Sequence, residues 1–114
     1  MTKQSLWLFC VVFLSFAASS KEYRVVLKNH LFYPAKITIP SNKKVKLLIE
    51  NQDPTPEEFD SFDLNREKVL YPNRISVIYI GPLVKGDYEF FGEFSPNTAR
   101  GTVIVVDEVQ DADN

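Results

Sequence analysis

Sulfur and imidazole are almost missing from this chain: its 114 residues include one cysteine, one methionine and one histidine. Cys10 lies inside an apolar run near the amino terminus and Met1 is the first residue, so from residue 21 onward there is neither a thiolate nor a thioether. That removes a disulfide framework, a cysteine-ligated cluster and thiol chemistry from the bulk of the chain. Stability has to come from an apolar core, which a domain of this size can build unaided. With His30 the only imidazole, a multi-histidine metal centre is excluded and a Ser/His/Asp hydrolase is poorly supplied. Glycine is scarce as well, at four residues, and no glycine-rich phosphate loop occurs. Nor is there an excess of positive charge. Thirteen basic against fifteen acidic side chains give a net charge of −2, which disfavours nucleic acid and anionic membranes and suits a cationic partner.

What is present begins with the order of a secretory signal peptide. Lys3 and the amino terminus are followed by the apolar run Leu6–Ala18 and then by the small residues of "AASS". The run is shorter than the roughly 20 apolar residues of a membrane span. Residues 1–20 are therefore expected to be a leader removed before Lys21, with an uncleaved anchor as the alternative. Cys10 sits within the run and not after it, which disfavours a lipoprotein. The mature chain is expected to be exported and not inserted in a membrane.

The remainder reads as one domain over residues 21–107 followed by an acidic, frayed tail at 108–114. "EYRVVL" (22–27), "AKITIP" (35–40), "KVKLLIEN" (44–51), "RISVIYI" (74–80), "GDYEFF" (86–91) and "GTVIVV" (101–106) are rich in β-branched and aromatic residues, and several alternate apolar with polar. No stretch sustains a helical period. Six to eight strands without intervening helices predict an all-β, antiparallel sandwich of Greek-key type. The segment 52–73, with three prolines and many charges, is expected to be irregular, with room for one helical turn around Leu64–Lys68.

"FYPAKITIPSNKKVKLLIEN" (32–51) and "GDYEFFGEFSPNTARGTVIVV" (86–106) resemble the amino- and carboxy-terminal halves of cupredoxins. The resemblance covers nearly all of the chain after the leader and implies a sandwich with its site at one end, built from loops between strands. It also implies where copper ligands would stand. The cysteine position is Gly92, the following histidine position is Ser95, and the methionine position falls near Thr98 or Ala99. The first histidine position falls within "PTPEEFDS", where only carboxylates are available. A blue-copper centre needs a thiolate and two imidazoles, so no type 1 copper is expected.

A narrower resemblance is to the cupredoxin-like subunits of bacterial ferrous-iron uptake systems, periplasmic proteins that stand beside an iron permease. That family runs E-E-F-D/E-S, then E-K, then F-F-G-E-F-H. Glu57, Glu58, Phe59, Asp60 and Ser61 match the first motif, Glu67 and Lys68 the second, and Phe90 to Phe94 the third; Ser95 replaces the final histidine. The resemblance implies a periplasmic accessory protein in iron uptake, working with an iron permease or a periplasmic metal-binding protein.

Glu57, Glu58, Asp60, Glu67 and Glu93 are the candidate metal ligands, because hard carboxylate oxygens suit iron, manganese or calcium and a cation relieves their mutual repulsion. The alternative is that they are ordinary surface charges, or that a metal-free sandwich docks a partner through its acidic end. An iron or copper ion is the expected cofactor if there is one. No catalytic residue is assigned, since ferrous oxidation would depend on bound copper or on a partner's metal. His30 is expected to be a solvated residue after the first strand, and Tyr88 to anchor the sandwich through its buried ring and bonded hydroxyl.

Overall fold

The computed structural model describes residues 20–107; the expected acidic tail and, but for Ser20, the expected leader lie outside the described residues. Nine strands follow one another: β1 (Glu22–Lys28), β2 (Leu31–Tyr33), β3 (Lys36–Pro40), β4 (Val45–Asn51), β5 (Glu57–Ser61), β6 (Arg66–Leu70), β7 (Arg74–Ile80), β8 (Gly86–Gly92) and β9 (Arg100–Val106). They form a four-stranded sheet in the order β2-β1-β4-β7 and a five-stranded sheet in the order β3-β9-β8-β5-β6. No helix among the described residues is long and apolar enough to cross a membrane.

Three expectations need correcting. There are nine strands where six to eight were expected, because the short β2 and the β5–β6 hairpin add to the count. The helical turn around Leu64–Lys68 does not form: Arg66–Leu70 is a strand paired antiparallel with β5. Asn65 adopts a positive φ of 53° and Ser61 Oγ accepts the Leu64 N–H, so the chain reverses within residues 62–65 instead of winding on. The sandwich is also not antiparallel throughout, since β1 runs parallel to β4 and β3 parallel to β9. The chain crosses between layers after β2 and again after β3, so these neighbours are not joined by hairpins.

The layers close because alternate residues are apolar. On β4, Val45, Leu47 and Ile49 face the core while Lys46, Leu48 and Glu50 face outward. Val25 and Leu27, Ile37 and Ile39, and Val103 and Val105 do the same on β1, β3 and β9. Three rings sit at the centre. Phe90 stacks on Phe59 at 5.0 Å and meets Phe32 edge-on at 5.2 Å. Burying each ring contributes about 1.5–3 kcal/mol. Gly101 on β9 lies directly over Phe90, where any Cβ would overlap the ring. Tyr88 behaves as expected, its ring packed against the core and its hydroxyl donating to Val84 C=O at 2.8 Å.

Candidate functional site: a carboxylate cluster on the five-stranded sheet

β5 decides which carboxylates meet. Side chains alternate along a strand, so Glu57, Phe59 and Ser61 face inward while Glu58 and Asp60 face out. The β5–β6 ladder sets Asp60 opposite Glu67, and opposed residues share a face. On the other side β8 pairs Phe59 with Gly92, and the ladder continues one step as Glu93 N–H donates to Glu58 C=O at 2.9 Å. Glu93 is thereby brought beside Glu58 and Asp60.

One carboxylate oxygen from each of Glu58, Asp60 and Glu67 lies within 4.8 Å of the other two. Oxygens on opposite sides of a cation bound at about 2.3 Å are about 4.6 Å apart, so the three fit around one ion with small side-chain adjustments. Glu93 stands beside these three, outside the group whose oxygens converge within that distance. Its carboxyl is held above the ordinary value of 4.5, chiefly by a hydrogen bond with the Asp60 side chain and further by repulsion from Asp60, Glu58 and Glu67. Asp60 is only 5% exposed, whereas Glu67 and Glu93 are open to solvent. The arrangement offers oxygen donors of one sign at a half-covered surface, a set that could hold a cation.

Glu57 is placed apart from the other four. It is 2% exposed and points between the sheets, where Oε1 accepts the N–H groups of Glu58 at 2.9 Å and Phe94 at 2.7 Å. His30 is also elsewhere. It is exposed in the two-residue turn between β1 and β2, where both Asn29 and His30 have positive φ. The Asp53 carboxylate accepts both of that turn's N–H groups, at 2.6 and 3.0 Å.

Asn51 supports the site and was not singled out from the sequence. Its buried Nδ2 donates to Thr55 C=O at 2.9 Å and Leu70 C=O at 3.0 Å, while Oδ1 accepts the Asp53 N–H at 2.9 Å. It thus ties the loop before β5 to the end of β6. An inward position filled by asparagine at the end of an apolar strand was the available signal.

The fold and the matched residues define the class: the chain belongs to the cupredoxin-like domain family, which it matches over residues 4–105. An uncharacterized protein of Rickettsia prowazekii (strain Madrid E) is 43% identical over 86 residues, covering 75% of this chain and 69% of that protein. Among solved structures, the chain is similar to the metal-binding domain, with Cu(I), of the Cu(I)-exporting P-type ATPase CopA of Streptococcus pneumoniae. That match has a TM-score of 0.69 and 17% identity and covers 82% of this chain and 92% of that one. A purple cupredoxin of Nitrosopumilus maritimus matches with a TM-score of 0.57 and 19% identity, over 73% of this chain and 98% of that one. At these identities the structural likeness establishes the fold.

Proposed function

We propose that this protein is an extracytoplasmic cupredoxin-like accessory of iron uptake that captures ferrous iron with Glu58, Asp60, Glu67 and Glu93 and passes it to a permease or a periplasmic metal-binding partner. The observation that carries the proposal is the convergence of Glu58, Asp60 and Glu67 within 4.8 Å, with Glu93 hydrogen-bonded alongside. An all-oxygen donor set suits hard cations. The resemblance of "PEEFDS", "EK" and "FFGEF" to the motifs of iron-uptake cupredoxins supports iron as the cargo. No type 1 copper centre is proposed, because Gly92 and Ser95 stand at the positions of two of its ligands and residues 20–107 contain neither Cys nor Met.

A second reading, docking through a metal-free acidic surface, is favoured by two exposed rings near the cluster. Phe62 is 83% exposed and rests on Phe91, the residue opposite Asp60, at 5.7 Å; Phe94, next to Glu93, is 59% exposed. Growth on limiting iron separates function from ordinary surface charge. A strain carrying Glu58→Gln with Glu93→Gln should take up less ferrous iron at unchanged protein abundance. Unchanged uptake at normal abundance would remove these carboxylates from iron handling.

A further inference from the structure

We infer that Glu57 is the internal brace of the carboxylate site and not one of its ligands. Its carboxyl group fills the hollow over Gly92 and, through the Phe94 N–H, holds the loop that presents Glu93 to Asp60. The inference rests on the carboxylate-site reading above and adds to it a residue that acts without touching the cation.

Three observations carry it. Glu57 faces away from Glu58, Asp60 and Glu67, because it occupies the inward phase of β5 and they share the outward one. Oε1 bridges two backbone N–H groups, one from Glu58 on β5 and one from Phe94 in the β8–β9 loop, so a single atom joins two of the three segments that supply the cluster. Glu93 lies between this anchor at Phe94 and its own backbone bond to Glu58 C=O, and so is fixed on both sides.

The fit to Gly92 is equally specific. A Cβ at position 92 would lie 2.6 Å from Glu57 Cδ, 2.8 Å from Oε2 and 2.9 Å from the Ala99 Cβ. The carboxyl group therefore occupies the volume that a side chain on Gly92 would need, and Ala99 closes the far wall. Glu57 and Gly92 are a matched pair. Oε2 is buried without a hydrogen-bond partner among the described residues, so its place here is dictated by Oε1 and by the space above Gly92, not by an interaction of its own. Supporting contacts of this kind set the geometry, and so the affinity, of the ligands they hold.

The test compares wild type, Glu57→Ala, Glu57→Gln and Gly92→Ala by amide hydrogen exchange at Phe94 and by titration with Mn²⁺. Glu57→Ala should lower Phe94 protection about tenfold and weaken Mn²⁺ binding by about tenfold, the range typical of a lost supporting contact. Glu57→Gln keeps the Oε1 acceptor and the side-chain shape, so it should stay within about twofold of wild type in both measurements. Gly92→Ala should mimic Glu57→Ala by displacing the carboxyl group, and should be relieved in part in the Glu57→Ala background, where the contact with the Ala99 Cβ remains. That pair keeps the test intact if Glu57→Ala alone folds poorly. Unchanged Phe94 protection in Glu57→Ala would overturn the brace. So would a Gln variant as weak as the Ala variant, since the acceptor at Oε1 would then not be what holds the loop. Mn²⁺ affinity that is indifferent to a freed Phe94 would overturn it too. If wild type binds no Mn²⁺, the carboxylate-site reading falls, and the brace is judged on the exchange results and the Gly92 pairing alone.

Discussion

The Asp60 side chain, on β5, is the chief cause that holds the Glu93 carboxyl, in the loop after β8, above its ordinary value. That raised value makes Glu93 the acid-sensitive member of the cluster. A carboxyl whose folded-state value is raised above its unfolded one favours the folded state below the unfolded value of about 4.5, and that contribution disappears as pH rises through the folded value. Wild type should therefore lose a small increment of stability as pH rises above about 4.5, and Glu93→Gln should flatten that slope. Urea unfolding midpoints across this range check it. An identical slope in the variant would place the proton elsewhere.

Protons and cations compete for the same oxygens, so Mn²⁺ affinity should rise with pH over the window in which Glu93 ionises. In Glu93→Gln the affinity should be lower and its dependence on pH shallower. Titrations at several pH values measure both.

Asn51→Ala removes the donor shared by Thr55 C=O and Leu70 C=O and leaves the Leu70 carbonyl buried without that partner. A cost of about 2–3 kcal/mol is expected. Chemical denaturation gives the value, and a change under about 0.5 kcal/mol would deny Asn51 its bracing role.

Gly101→Ala drives a methyl group into the Phe90 ring. Destabilisation of about 1–3 kcal/mol should follow, from overpacking. Phe90→Leu alone will destabilise, yet the added cost of Gly101→Ala should shrink in that background. Additive effects would mean that the two do not meet as described.

Phe62→Ser separates the two functional readings. The ring is 83% exposed, so its loss should leave stability within about 0.5 kcal/mol and Mn²⁺ affinity unchanged. A fall in ferrous-iron uptake in that variant at unchanged affinity would assign Phe62 to partner docking.

Legibility in the sequence followed the apolar pattern. β4 was readable because Val45, Leu47 and Ile49 alternate with Lys46, Leu48 and Glu50, and the strand lies between those bounds. β5 and β6 were not, because the inward phase of β5 reads Glu57, Phe59, Ser61 and carries only one apolar residue. Once β5 is known to be a strand, the spacing of Glu58 and Asp60 places them together; before that, Glu57, Glu58, Asp60, Glu67 and Glu93 were equivalent candidates. What set Glu57 apart was a partner in space, the Phe94 N–H, which no local pattern specifies. Parallel pairing of β1 with β4 and of β3 with β9 was hidden for the same reason, since both pairs are joined by long connections.

Anaerobic titration with Fe²⁺, compared between wild type and the Glu58→Gln, Glu67→Gln double variant, tests capture by the carboxylate cluster most directly. Wild type should bind one ion per chain, and the double variant should bind more than about tenfold more weakly while unfolding at the same denaturant concentration. Equal Fe²⁺ binding by the two proteins, or none by wild type, would contradict a cation site built from Glu58, Asp60, Glu67 and Glu93.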